Sequence, residues 1–214
     1  MRGVFSVPLL LLAFVASACS GSDGQGEVVT RQSQAATRLD AARLEELDLT
    51  YDVPPRVREA CADASRQAAV RVVCPPLVPD VPLTRSPGLW GSIVPPDDPR
   101  FYMLTFNNGG LPGGKRHWIA GGGEAGAVEK RVLTDFDNVA KGNPTLVRTT
   151  TVRGRRVSIY RFPPYPAGGP NGGHWAAFVH VGDEIVFASP HERRYVPAAV
   201  EMALALAAEL ERAS

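Results

Sequence analysis

The sequence has almost no net charge and lacks the short motifs of common hydrolases. Its 214 residues contain 23 Lys and Arg against 22 Asp and Glu, a formal net charge of +1. This balance produces no general field that would attract nucleic acid, so we expect no nucleic-acid partner. Neither a Gly-x-Ser-x-Gly elbow, nor a Gly-rich phosphate loop with Lys-Ser/Thr, nor Ser-x-x-Lys occurs. These absences favour a protein that is not an enzyme and uses no cofactor.

Long hydrophobic runs are also missing, apart from one short run at the start of the chain. Arg2 precedes the largely apolar segment 4–15, which is too short for a membrane-spanning helix of about 20 residues. The small residues Ala16-Ser17-Ala18 follow and lead into Cys19. A cation, a short apolar run and small residues at a cleavage site are typical of a secretory signal peptide, here residues 1–18.

The position of Cys19 makes this segment similar to the lipobox of bacterial lipoproteins, although Ala16 stands where that family usually has Leu. The resemblance implies that the chain is cut before Cys19 and that the thiol of Cys19 carries a diacylglycerol. It also implies a protein anchored by lipid to the extracytoplasmic side of the cell membrane. An ordinary cleaved signal peptide and an uncleaved anchor are the alternatives.

Cysteine is scarce, and only Cys61 and Cys74 remain after Cys19 is assigned to lipidation. In an exported, oxidising setting two nearby thiols usually pair, so we expect a Cys61–Cys74 disulfide. By the chain-entropy model it would add about 2–3 kcal/mol to stability. Two buried free thiols are the alternative. A metal site at this pair is not expected, because no His lies nearby in the sequence.

The remaining chain divides by composition into a tether, a helical prefix and an α+β domain. Residues 19–32 comprise the lipidated cysteine and a Gly/Ser-rich flexible tether. Residues 33–69 form a helical prefix, with helices over 33–47 and 56–69 separated by Pro54-Pro55. Residues 70–214 alternate short strands with turn signals and end in a helix. We therefore expect an α+β fold, with an antiparallel sheet of hairpins, N-terminal helices and a C-terminal helix packed on the sheet.

The predicted elements of this last region are a series of short strands and two helices. The strands are 70–74, 88–94, 101–106, 117–120, 145–152, 156–162, 174–181 and 184–189, and the helices are 125–140 and the segment from 195 or 197 to 211. Gly182-Asp183 fits a two-residue type II′ turn, which places Phe178 opposite Phe187. Both faces of this hairpin carry large apolar groups, so we expect it to be central in the sheet. Alternation puts Trp175 on one face of this hairpin and Phe178 on the other.

The region from about Val70 to Leu210 loosely resembles a domain of unknown function found in extracytoplasmic bacterial lipoproteins and anti-sigma-linked proteins. The resemblance lies in a helix and short strand running into Pro75-Pro76-Leu77-Val78-Pro79, and in the final strand–turn–strand–helix. It supports the fold and implies no catalytic residues.

Two Gly-rich segments form a weak internal repeat. Each ends in His-Trp at the start of an apolar strand, at His117-Trp118 and at His174-Trp175. One interpretation is a pair of loops that place two His and two Trp around one pocket. The other is two hairpin loops that need glycine, each followed by a Trp that packs in the core.

The terminal hairpin places His174 opposite His191, which could bind a metal or form a pH-sensitive pair. Because zinc normally needs three or four protein ligands and no further ligand has a fixed spacing, we expect solvated strand-end histidines and no metal site. A second cluster, Arg153, Arg155 and Arg156, surrounds a turn at Gly154. It could contact lipid phosphate, although a solvated turn is the simpler expectation.

These observations favour a non-catalytic, lipid-anchored envelope protein with a binding or scaffolding role. Its partner would be an unidentified envelope protein or small ligand. One alternative is a carrier of an apolar or amphipathic ligand in a half-open sheet. Another is an envelope enzyme without a recognisable motif.

Overall fold

A computed structural model describes residues 38–80, 91–107, 117–134, 144–164 and 172–212. The predicted signal peptide, Cys19 and the tether lie outside the described residues. So do most of the two Gly-rich segments and the ends of several predicted elements, among them 33–37, 88–90 and 135–140. No helix among the described residues is long and apolar enough to span a membrane.

The described elements are four α-helices, a π-helical turn, a 3-10 turn and nine strands. The helices are α1 Ala41–Leu47, α2 Pro55–Gln67, α3 Ala125–Val128, which continues into the π-helical turn Glu129–Thr134, and α4 Val196–Arg212, which follows the 3-10 turn Arg193–Tyr195. The strands are β1 Leu49–Thr50, β2 Val78–Pro79, β3 Gly91–Ile93, β4 Phe101–Asn107, β5 His117–Glu124, β6 Thr145–Val152, β7 Arg155–Arg161, β8 Trp175–Val181 and β9 Glu184–Pro190.

Seven of these strands form one antiparallel sheet in the order β3-β4-β5-β9-β8-β7-β6, while β1 and β2 pair separately. The C-terminal helix α4 packs on β8 and β9. The structure thus has the α+β fold with an antiparallel sheet that the sequence predicts. The β8–β9 hairpin lies at the centre of the sheet, as expected from its two apolar faces.

The two faces of the sheet carry separate cores. On one face, Ala177, Val179 and Val186 pack with α2 and α4. On the other face, Phe178 and Phe187 pack with α3 and the π-helical turn. Phe178 pairs with Phe187 in the register, and Gly182 has a φ of +56°, as the first position of a type II′ turn requires. The alternation predicted for this hairpin is therefore confirmed.

Strand β5 is twice as long as predicted, because it continues through Gly121, Gly122 and Gly123 to Glu124. Glycine inside a strand often marks a close backbone approach. In the structure, a Cβ on Gly121 would collide with the carbonyl oxygen of Tyr102 on β4. The glycines thus allow a backbone approach closer than any other residue permits.

The N-terminal helices belong to the same core as the sheet. α1 is shorter than predicted and begins after Asp40, whose carboxylate accepts a hydrogen bond from the backbone N–H of Arg43. α2 buries Val57 and Cys61 against the core on the α4 side of the sheet. A disulfide joins Cys61 to Cys74, with their Cα atoms 5.5 Å apart.

The strand predicted for residues 70–74 is absent, and this prediction was wrong. The segment belongs to neither described sheet. The backbone N–H of Val73 donates instead to the hydroxyl of the buried Tyr102, at 3.0 Å. The side chain of Tyr102 therefore accepts the hydrogen bond that the Val73 N–H would otherwise donate to a neighbouring strand.

Candidate metal centre

Three of the four histidines lie side by side at one end of the central strands. His117 begins β5, His174 immediately precedes β8, and His191 immediately follows β9. The β5–β9 register ends at Trp118–Pro190, so its extension by one residue sets His117 opposite His191. The β8–β9 register ends at Ala177–Ala188, and its extension by three residues sets His174 opposite His191. The three histidines form a row across three adjacent strands, called the His row below.

The rings of the His row are in contact. Nε2 of His174 lies 2.9 Å from Nε2 of His117. The ring centroids of His174 and His191 are 3.8 Å apart, and those of His117 and His191 are 4.2 Å apart. One nitrogen from each ring lies within 4.8 Å of those of the other two. Each histidine can therefore direct one ligand atom to a common point.

Burial differs along the row. His174 is completely buried, with 0% of its surface exposed, whereas His117 and His191 are half-buried. Nδ1 of His174 lies 3.0 Å from the hydroxyl of Ser189, which is itself buried. Nε2 of His191 is buried and has no hydrogen-bond partner among the described residues. A buried polar nitrogen without a partner is uncommon and requires an explanation.

The environment of the row favours neutral imidazoles. Burial lowers the pKa of His174 to about 2, and the nearby His191 and His117 lower it further, while a hydrogen bond with the Ser189 backbone opposes them. Burial likewise lowers the pKa of His191 to about 4, with an additional contribution from His117. Neutral imidazole is the form that ligates metals, so His174 and His191 are in the ligating form at neutral pH.

Both ring nitrogens of His174 have a partner. Nδ1 lies 3.0 Å from the hydroxyl of Ser189, which donates or accepts according to the tautomer of the ring. Nε2 lies 2.9 Å from Nε2 of His117. Metal-ligating histidines commonly hold their second ring nitrogen on a neighbouring polar group, as Ser189 holds Nδ1 of His174.

The row has the donor set of a transition-metal site. Imidazole nitrogen suits zinc, copper, nickel and iron. In a tetrahedral zinc site with Zn–N bonds of 2.0–2.1 Å, the ligand nitrogens are about 3.3 Å apart. The 2.9 Å separation of the His117 and His174 nitrogens is slightly shorter, so a small outward movement of one ring would admit an ion.

These positions correct one sequence-based prediction and support part of another. The prediction that His174 and His191 are solvated was wrong, because His174 is buried and His191 is half-buried. The interpretation that the two His-Trp segments meet is right for His117 and His174. Their tryptophans do not join them: Trp118 and Trp175 pack against the core on the α4 side of the sheet.

His117, the third member of the row, could not be found from the spacing of the histidines in the sequence. Residues 117 and 174 are far apart in the chain, and they meet only because β5 pairs with β9 and β9 with β8. The repeated Gly-Gly…His-Trp pattern was the only available signal. It indicated similar local structure and gave no information about the order of the strands.

Two arginines at the β6–β7 turn are paired with carboxylates of α4. Arg153 donates two hydrogen bonds to Glu201 of α4, and Arg155 donates two to Glu211. The side chain of Arg155 is only 11% exposed, so the expectation of a solvated turn does not hold for it. Arg153, Gly154 and Arg156 are exposed, as that expectation requires.

No family model matches the chain, and no curated protein or solved structure matches it. The arguments for function therefore rest on the residues and their geometry.

Proposed function

We propose that this protein is a non-catalytic, lipid-anchored envelope protein that binds a divalent transition-metal ion through His117, His174 and His191. The proposed location depends on the signal peptide and Cys19. The proposed ligand replaces the unidentified small ligand of the sequence-based hypothesis. A binding role agrees with the lack of recognisable hydrolase motifs.

The observation that carries this proposal is the convergence of one nitrogen from each of three histidines within 4.8 Å. Histidine is intermediate in its tendency to be buried, and buried polar groups normally find partners. Here three rings contact one another in tilted and edge-to-face arrangements, and Nε2 of His191 has no hydrogen-bond partner among the described residues. A metal ion would satisfy this nitrogen and the two others together.

The position of the row supports reversible binding over a structural role for the metal. The two hydrophobic cores and the Cys61–Cys74 disulfide lie elsewhere in the domain, so the fold has other sources of stability. Small domains that need zinc to fold lack such cores. We therefore expect the metal-free protein to be folded.

The test is zinc binding by the full-length protein, purified in detergent and stripped with a chelator. Titration against a chromophoric zinc indicator should give one site per chain in the wild type. His117→Ala and His191→Ala replace half-buried ligands and should each weaken binding at least tenfold. Both variants should remain folded, since neither side chain fills a core.

The fourth histidine provides a matched control. His180 lies six residues from His174 on β8, about 20 Å away along the strand. His180→Ala should bind zinc like the wild type. Equal binding by wild type, His117→Ala and His191→Ala would overturn the proposal, as would the absence of stoichiometric binding to the folded wild type.

A cleft near α1 favours a second candidate function, the carriage of an amphipathic ligand. The cleft has a volume of about 340 Å³, with Leu77 and Leu204 among its apolar lining and Arg38 and Arg212 among its charged lining. This is the lower end of the size range of small-molecule sites. Saturable binding of a fluorescent fatty acid, weakened by Leu204→Trp, would support it, and no binding would exclude it.

A further inference from the structure

We infer that the metal ion in the His row keeps one coordination position for a small exogenous anion. This inference rests on the proposed function. It adds to the three protein ligands one exogenous ligand that completes the coordination of the metal. The chemical class is a monodentate anion such as hydroxide, carboxylate or a phosphate oxygen.

In the part of the chain that the structure describes, the supply of protein ligands stops at three, because the cluster of possible metal ligands contains only His117, His174 and His191. The segments that precede the first two in sequence, 108–116 and 165–173, contain no His, Cys, Asp or Glu. Glu192, next to His191, has its Oε2 atom 3.0 Å from Nε of Arg194. Zinc with three protein ligands normally completes its shell with water or substrate.

The uneven burial of the three histidines leaves the fourth coordination position of the metal accessible to a small ligand from solvent. His174 is held in the interior by Ser189, whereas His117 and His191 are each partly exposed. An ion held between these three rings has protein on the His174 side and lies near the surface on the other side. A small ligand can thus reach it without unfolding of the sheet.

Charge determines which ligands the position prefers. Three neutral imidazoles leave the full positive charge of a divalent ion uncompensated, and such a charge favours an anion over a neutral ligand.

The fourth position can be observed with cobalt, which replaces zinc and absorbs visible light. The full-length protein in detergent, stripped and loaded with one equivalent of Co²⁺, should show the strong visible bands of a four- or five-coordinate ion. Azide should shift these bands in a saturable manner, with one azide per cobalt. His180→Ala should behave like the wild type, and His191→Ala should lose both the bands and the azide response.

Two negative results have different meanings. If no stoichiometric Co²⁺ spectrum appears and zinc does not bind, the proposed function fails. If the cobalt spectrum forms and depends on His117 and His191 but does not respond to azide, the metal site stands. In that case the fourth position is filled by the protein, and the inference of an exogenous anion is overturned.

Discussion

Lowering the pH from 7.5 to 5 should destabilise the metal-free protein because His174 is buried in its neutral form. The unfolded chain binds a proton at His174 with a pKa of about 6.5, whereas the folded protein holds the pKa of this ring at about 2. Below pH 6.5 the unfolded state therefore binds more protons, and stability falls as the pH falls. At pH 5 this single group lowers the free energy of unfolding by about 2 kcal/mol relative to pH 7.5.

The half-buried His191 should add to this loss. Its pKa is lowered to about 4, so its contribution has the same sign and ends near pH 4. Most carboxylates titrate below pH 5, so the window between pH 7.5 and 5 isolates the histidines.

The assay is urea denaturation in the presence of a chelator at pH 7.5, 6.5, 5.5 and 5.0. His174→Asn should be less stable than the wild type at pH 7.5 but should lose less stability on acidification. If that variant does not fold, the ¹⁵N shifts of the imidazoles in the wild type provide the measurement, and His174 should remain neutral at pH 5. A free energy of unfolding that is constant or rises between pH 7.5 and 5 would refute the reasoning, as would a His174 ring that titrates near pH 6.5.

Three further predictions concern the anchor, the disulfide and the core. Cys19→Ala should abolish labelling by a fatty-acid probe and membrane retention, and equal labelling of variant and wild type would exclude a lipid anchor. Replacing Cys61 and Cys74 by Ser should lower the free energy of unfolding by about 2–3 kcal/mol, and both thiols found free by non-reducing peptide mapping would contradict the bond. Phe187→Ala should cost about 3–5 kcal/mol because the ring is 1% exposed, whereas Trp175→Ala should cost less because that ring is only half-buried; the opposite order in urea melts would contradict this.

Much of the fold follows from local pattern, because hairpins are local structures. The β8–β9 hairpin was predicted with its register and its two faces, since Gly182-Asp183 fixes the turn and alternation fixes the faces. Strand β5 could not be predicted in full from local pattern. Its three glycines are typical of a loop in sequence, and glycine is needed at Gly121 because the carbonyl oxygen of Tyr102 on the neighbouring strand leaves no room for a Cβ.

The candidate site was only partly predictable for the same reason. The pair His174–His191 lies within one hairpin, so its register could be counted from the turn. His117 reaches the row through the β5–β9 pairing, which joins strands separated by about 60 residues of sequence. The burial of His174 could not be predicted either, because it depends on which residues cover that end of the sheet.

The two-residue turn at Gly182-Asp183 determines which face of the sheet His191 occupies. Successive side chains on a strand point to opposite faces, so one inserted residue in this turn would move His191 to the α4 side, away from His117 and His174. Both faces of β8 and β9 are apolar, so the hydrophobic core alone discriminates weakly between the two registers. The number of residues in a turn that lies about 26 Å along the strands from the histidines thus decides whether three ligands or two face each other.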